Sequence, residues 1–459
     1  MKATRTTIRI LFGLALISTT GCGVAGKSPA DSIPSGGVPS ASAAAEPASA
    51  WPAGAVDAWL MVGKADDWGV RVIQASTGDS LLHLPTGAAA RPDWGREIVA
   101  TAAGPNTIVQ DLVVESAFEG PKITIDGAWR LPTIGYDPTP VGLSADGSTA
   151  VLVEATPAAS EAGRALSRFA VVSVVPLEGP ARIVELHGSF DFDAISSDGR
   201  ILYVVEHLPG NIGRYQVRAV DLPAGTMREA IIADKANLGE AMAGWPVAQL
   251  RAPTGVVFTL YRGLEHPFIH ALNTAEGWAV CIDLPGAHAG DKEAALQWGL
   301  AASADWRTVY AANAALGLVS EVDTAELRIR REVSLGTMAD VGPANAVAAA
   351  GGPSIELAKF GHAEGGPVAR RTVVAPDGLT AYAAGPRGIL AIRTKDLAIT
   401  ARLLEGSAVD ALGLTPDGRA MFALLRDGGR IVELDPASGA VLGEVPGAGF
   451  DRLLAVALW

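Results

Sequence analysis

Beyond residue 60 the chain reads as short apolar runs bounded by Gly, Pro and Asp, and a helical 3.6-residue period is hard to find. Val319-Ser-Glu-Val-Asp323 alternates apolar and polar positions, the period-two pattern of a half-buried strand. One stretch lays out a whole unit of four such runs: Gln297 to Ser303, a turn at Asp305-Trp306, Thr308 to Asn313, Gly317 to Asp323, and Arg328 to Leu335. The turn recurs. A Ser, Ala or Thr followed closely by Asp-Gly or Asp-Trp appears at Ser144-Ala-Asp146-Gly147, Ser197-Asp198-Gly199-Arg200, Ser303-Ala-Asp305-Trp306, Ala375-Pro-Asp377-Gly378 and Thr415-Pro-Asp417-Gly418, with a weaker copy at Arg91-Pro-Asp93-Trp94. Gly accepts the positive φ of a tight turn and Asp caps its backbone, so each copy predicts a strand–turn–strand. The connection from third to fourth strand repeats as well, at Asp221-Leu-Pro-Ala-Gly225, Asp323-Thr-Ala-Glu326 and Asp435-Pro-Ala-Ser-Gly439.

The copies are mostly separated by roughly 40 to 70 residues, the period of an array of small antiparallel sheets, and this predicts an all-β chain forming a single β-propeller of four-stranded blades. Full units are expected at about 93–133, 139–188, 190–234, 245–286, 296–338, 368–405 and 408–447. An incomplete unit at 56–87 lacks a first strand, and Arg452 to Trp459 supply a strand without a unit of their own. Pairing the two closes the ring and removes the exposed edge of an open array. The count is then eight blades, or seven if the weak 93–133 unit is irregular.

Composition fits this reading. Of 459 residues 49% are hydrophobic and 19% charged, which excludes disorder of the whole chain, and 53 glycines and 29 prolines are distributed as turn chemistry. The net charge of −13 without basic clusters argues against nucleic acid and against direct adsorption to anionic lipid.

The amino terminus has a different character. Lys2, Arg5 and Arg9 precede an uncharged apolar run from Ile10 to Ile17 and a small-residue stretch ending in Gly21-Cys22, which predicts a secretory signal peptide too short to span a membrane. The end of this segment resembles a bacterial lipobox, with Thr19 where that motif prefers Leu. The resemblance implies a signal peptide over 1–21, lipidation of Cys22 and anchoring to the cell membrane on its extracytoplasmic side. Residues 22–50, rich in Ala, Ser, Pro and Gly, read as a disordered tether, and 51–459 as the propeller. Cys281, the second of two cysteines, lies in Trp278-Ala-Val-Cys-Ile282 and reads as a buried free thiol.

Ser197-Asp-Gly-Arg-Ile-Leu-Tyr203 and Pro376-Asp-Gly-Leu-Thr-Ala-Tyr382, each followed by a strand ending in Asp and a turn, are similar to the bacterial YVTN-type propeller repeat. The resemblance covers about 400 residues and implies the fold. The family spans surface-layer proteins, lactonase-like enzymes and lipoproteins, so it implies no single activity.

Candidate chemistry is sought where the repeat breaks. The segment 339–367 carries Lys359, His362 and Glu364, an insertion able to contact a ligand or partner. Tyr261 to His270 places Glu265 and His266 at a hairpin tip with His270 on the following strand, so His266 and His270 share a face if the run is extended. Phe190-Asp191-Phe-Asp193 puts two carboxylates on one strand face, the weak metal candidate, with His187 just before and His207 ending the next strand. No nucleophile elbow, His-Glu-x-x-His, phosphate loop or Cys/His cluster is present, so no catalytic residues and no cofactor are assigned. The sequence therefore favours a membrane-anchored extracytoplasmic module, non-catalytic, that binds another envelope protein or a small extracytoplasmic ligand and no nucleic acid. A lactonase- or hydrolase-type propeller enzyme with a site at the channel mouth is the alternative, and a structural envelope or surface-layer component is the second.

Overall fold

The computed structural model describes residues 51–458 except 53, 65–66, 85–87, 91–95, 114–117, 135–139, 156–163, 211–212, 233–240, 287–291 and 335–369. The leader, Cys22, the tether and the insertion with Lys359, His362 and Glu364 lie outside the described residues. Among those described, strands dominate; Lys292–Ala295 is a single α-helical turn, and no helix is long and apolar enough to cross a membrane.

The strands form four-stranded, antiparallel, up-and-down units. The first sheet holds Trp59–Lys64, Asp67–Gln74 and Ser80–Leu84, with Phe450–Ala457 on its edge beside Trp59–Lys64. The second runs from Ala88–Ala90 through Arg96–Ala103 and Asn106–Val113 to Phe118–Asp126, and the third from Trp129–Arg130 through Thr149–Glu154 and Leu166–Ser173 to Arg182–His187. Phe190–Ile195, Ile201–His207, Arg214–Asp221 and Thr226–Ile232 make the fourth; Met242–Arg251, Val256–Gly263, Phe268–Asn273 and Trp278–Asp283 the fifth. These two join into one eight-stranded sheet because Arg214 and Tyr215 pair with Ala243 and Met242. Gly299–Ala302, Thr308–Asn313, Leu318–Asp323 and Arg328–Ser334 form the sixth, Thr372–Val374, Thr380–Gly385, Gly388–Arg393 and Ala398–Leu403 the seventh, and Val409–Leu414, Met421–Leu425, Arg430–Leu434 and Val441–Glu444 the eighth.

Two boundaries differ from those expected. Trp129–Arg130 falls in the 93–133 unit by sequence, yet Trp129 pairs with Glu154 and Arg130 with Val153 in the third sheet. Gly127, at φ 99°, turns the chain, and the Thr107 hydroxyl fixes the corner by donating to Gly127 O at 2.9 Å and accepting from the Trp129 amide at 2.8 Å. The second sheet starts five residues earlier than expected, at Ala88.

Period-two alternation gives each sheet two apolar faces, and each face packs on a neighbouring sheet. Val257, Tyr261 and Leu272 of the fifth sheet meet Tyr203, Tyr215 and Val217 of the fourth, whereas Phe258, Leu260 and Ile269 on the other face meet Leu300, Val309 and Val322 of the sixth. The same holds along the chain, and Leu60, Val62 and Ile73 of the first sheet pack against Phe422, Leu424 and Ile431 of the eighth. Consecutive four-stranded sheets packed face to face are the β-propeller architecture. First strands of successive sheets touch: Arg370 and Leu412 exchange two backbone hydrogen bonds of 2.7 Å, and Gln249 Nε2 donates to Asp193 O at 3.1 Å. From the fourth sheet to the eighth the first strand is thus the inner strand, and in the first sheet Phe450–Ala457 fills that place. Gly63 lies opposite Arg452, and a Cβ there would stand 2.3 Å from Arg452 Nε, so only glycine lets the guanidinium lie across this strand.

The repeated motif has one construction. Ser144, Ser196, Ser303 and Thr415 donate from the hydroxyl to Oδ1 of Asp146, Asp198, Asp305 and Asp417 at 2.6, 2.6, 2.7 and 2.8 Å. The same hydroxyls accept amides of the next strand, from Thr149, Ile201, Thr308 and Ala420, at 2.9–3.1 Å. In the second copy the hydroxyl that does this is Ser196, not Ser197, so all copies keep one spacing. Gly147, Gly199, Gly378 and Gly418 follow at φ 69°, 68°, 73° and 71°; Trp306 takes the same left-handed conformation at φ 55°, a strain of roughly 1–2 kcal/mol for a non-glycine residue. The repeat's tyrosines tie sheets together: Tyr203 donates to Thr274 O at 2.8 Å and Tyr382 to Pro436 O at 3.1 Å, each in a turn of the next sheet.

Candidate functional site

The inner strands carry charge at one recurrent position. Asp191, second residue of the fourth sheet's inner strand, accepts a hydrogen bond from His207 Nε2 at 2.7 Å through Oδ2 and is ion-paired with Arg164 through Oδ1. Asp410, second residue of the eighth sheet's inner strand, is held by Arg426, whose Nη2 lies 2.8 Å from Oδ1, and by Arg371 Nη2 at 3.3 Å. The two places are equivalent. Each aspartate precedes the motif aspartate (Asp198 or Asp417) by the same interval. His207 and Arg426 likewise follow their motif aspartates at one shared, slightly longer interval, with their amides bonded to Ser189 O and Ala408 O, both at 2.9 Å. Each inner strand also carries a bulge, whose extra residue is Asp193 in the fourth sheet and Asp410 itself in the eighth.

The electrostatics set these groups as fixed charges. The surrounding protein pushes the Asp191 carboxyl up, but the hydrogen bond from His207 and the charge of Arg164 outweigh it and hold its pKa at about 2. At Asp410 burial is likewise outweighed by Arg426 and Arg371, and the pKa falls below the ordinary value. Burial lowers the Arg130 pKa, Asp191 opposes this, and the like charge of Arg164 adds to it. Arg130 and Arg164 both act on Asp191, and Arg371 and Arg426 both act on Asp410. Two guanidiniums thus gather around each carboxylate, which stays partly exposed (37% of the Asp191 side chain, 28% of Asp410). Such an arrangement suits a carboxylate or phosphate, which planar guanidiniums grip in two-pronged fashion.

Asp193 is in other surroundings. The bulge breaks the alternation that would set it beside Asp191, and it is 2% exposed near Arg251. Burial raises its pKa to about 7, only partly opposed by Arg251, and its Oδ2 has no hydrogen-bond partner among the described residues. It adjoins a polar row crossing the fifth sheet, in which Gln249 faces Thr259, Thr259 faces His270 and His270 faces Cys281 across successive strands. Gln249 Nε2 donates to Thr259 Oγ1 at 2.9 Å, and His270 is 1% exposed.

Of the other residues singled out by sequence, His266 is at the hairpin tip, its Nε2 2.8 Å from Asp283 Oδ1, with both side chains well exposed. Glu265 is exposed at the same tip. His266 and His270 are not brought to one site: the former faces solvent and the latter is sealed beneath Tyr261, with ring centroids 6.3 Å apart. His187 is exposed at the end of its strand. No group of three or more His, Cys, Asp or Glu able to hold a metal ion occurs among the described residues. Sequence reading missed Arg164, Arg371 and Arg426, although the constant offsets of Asp191, Asp410, His207 and Arg426 from the motif aspartates were a usable signal.

No protein-family model and no curated protein sequence matches this chain. Solved structures similar in fold include AztD from Citrobacter koseri, at 14% identity over 88% of this chain and 98% of that one, with a TM-score of 0.49. A putative 6-phosphogluconolactonase from Bacteroides fragilis is similar at 12% identity over 88% and 98%, TM-score 0.41. The β-propeller domain of Swd1 from Myceliophteria thermophila is similar at 10% over 69% and 87%, TM-score 0.36.

Proposed function

We propose that this chain is a membrane-anchored extracytoplasmic β-propeller of the YVTN type. It is a closed ring of eight blades that binds, without catalysis, an anionic group of a small ligand or envelope partner at the inner-strand ends. The observation that carries the binding role is the gathering of two guanidiniums around one partly exposed carboxylate at two equivalent places, Arg130 and Arg164 around Asp191 and Arg371 and Arg426 around Asp410. The ring is supported by the pairing of Phe450–Ala457 with Trp59–Lys64 and by the apolar contact of the first sheet with the eighth. The YVTN assignment is supported by the shared hydroxyl–aspartate turn, and the anchor by the Gly21-Cys22 sequence.

Calorimetric titration of the full chain with inorganic phosphate and with small di- and tricarboxylates tests the binding role. Arg164→Ala and Arg426→Ala should each weaken the bound anion at least tenfold. Arg168→Ala, which removes an exposed guanidinium stacked 5.6 Å over Trp129, should leave binding unchanged. Equal binding by all three variants, or none by the wild type, would contradict the role. Labelled palmitate incorporated by the wild type and not by Cys22→Ser would support the anchor.

One observation favours an enzyme instead. Asp191 Oδ2 lies 2.7 Å from His207 Nε2, the arrangement that orients a general base. Ester or lactone turnover abolished by His207→Gln would replace the binding reading.

A further inference from the structure

The contact between the fourth and fifth sheets holds a second constellation, distant in kind from the charged inner-strand ends. Cys281 Sγ lies 3.8 Å from Met242 Sδ. His270 stands directly opposite Cys281 on the adjacent antiparallel strand, a register that puts the two Cβ atoms about 4.5–5.5 Å apart on one face of the sheet. That face is the one turned toward the fourth sheet: Phe268 and Leu272, which alternate with His270, pack there with Tyr215 and Tyr261, and Met242 and Cys281 pack against the same cluster. Met242 reaches it from the segment that links the two sheets, where it pairs with Tyr215. A thiol, a thioether and an imidazole thus converge from three strands.

From this convergence we infer that Cys281, Met242 and His270 form a binding site for one soft monovalent metal ion, Cu(I) being the cation their chemistry selects. Two sulfurs on one ion at about 2.3 Å each stand about 3.8–4.0 Å apart at tetrahedral to trigonal angles, which is the separation already present. Thiolate and thioether select Cu(I), imidazole suits copper, and a thioether is no ligand for the harder divalent ions. Charge points the same way. Cys281 binds as thiolate and releases one proton, so the Cu(I)–thiolate unit is neutral, whereas a divalent ion would leave a net charge in an aromatic enclosure. The enclosure consists of Tyr215 and Tyr261, stacked with centroids 5.0 Å apart, and Phe268, stacked on Tyr261 at 5.2 Å. His270 is sealed at the floor, and Cys281 and Met242 are half-buried at the rim, which gives the ion an entry.

The test is an anaerobic titration of the reduced full chain with Cu(I) against bathocuproine disulfonate, a chromophoric Cu(I) chelator. The wild type should withdraw one equivalent, and X-ray absorption of the loaded protein should report two sulfur ligands and one nitrogen. Cys281→Ser should weaken retention at least about 100-fold, and Met242→Leu, a volume-conserving change, about tenfold at unchanged melting temperature. Cys22→Ser should change nothing. Failure of the folded wild type to compete for copper, retention lost with Cys22→Ser, or retention equal in Met242→Leu and wild type would each overturn the site.

Discussion

The contact of the eighth sheet with the first and that of the fourth with the fifth are built from the same repeat but filled differently. The former is packed by Leu60, Val62, Ile73, Phe422, Leu424 and Ile431, and its buried carboxyl, Glu433, is used by accepting the Val56 amide at 2.7 Å. The latter has the aromatic stack of Tyr215, Tyr261 and Phe268 but also buries Asp193, Gln249, Thr259 and His270. One contact closes the first sheet with the last strand of the chain; the other already has continuous backbone pairing between its two sheets through Tyr215 and Met242. The lesson is physical. Where backbone pairing holds two sheets together, side chains are released from packing and can carry charge and metal-binding donors, at a cost in stability.

The comparison is broken most directly by removing residues 450–459. That takes the inner strand from the first sheet and, with Phe450, Leu453 and Val456, part of the apolar contact with the eighth, so cooperative thermal unfolding by circular dichroism should be lost altogether; a truncated chain melting like the wild type would show that the contact is dispensable. Phe422→Ala, which empties a fully buried position in the same contact, should cost about 3–5 kcal/mol in denaturant unfolding. Tyr203→Phe removes one bond between the fourth and fifth sheets and should cost only about 1 kcal/mol, since backbone pairing remains. Ser196→Ala should likewise cost about 1 kcal/mol, and Ser197→Ala less than about 0.5, which checks the spacing of the motif.

Much of the scaffold was legible in the sequence. The Asp-Gly turns, the period-two runs from Thr308 to Asp323, and the unpaired strands at both ends of the domain gave the sheets and the partnership of Trp59–Lys64 with the last strand. Local chemistry determines these features, so local reading finds them. The corner at Gly127 was not legible because a distant hydroxyl, that of Thr107, fixes it. The charged clusters were half visible. Asp191 and His207 lie on neighbouring strands, but Arg164 comes from the preceding sheet, and Arg371 reaches Asp410 from one sheet to the next. The bulge between Phe192 and Ala194, which gives Asp191 and Asp193 different surroundings, leaves no mark in an alternating Phe-Asp-Phe-Asp run. Cys281, expected to be buried, is a half-buried free thiol, and its neighbour Met242 is near it only in space.

The central claim, that the contact of the fourth and fifth sheets keeps polar groups at the expense of stability, rests most squarely on Asp193. Its folded-state pKa of about 7 exceeds the unfolded value of 3.8, so the folded protein holds the proton longer. The wild type should therefore lose stability as pH rises from about 4 to about 7 and level off above that, with a total loss on the order of 2–4 kcal/mol from this group. Measuring unfolding free energy from pH 4 to pH 8 for the wild type and Asp193→Asn decides the matter. The account predicts a flatter profile and higher stability at pH 8 for the variant, with the two proteins converging near pH 4. An Asn variant less stable than the wild type at pH 8, with the slope intact, would contradict it.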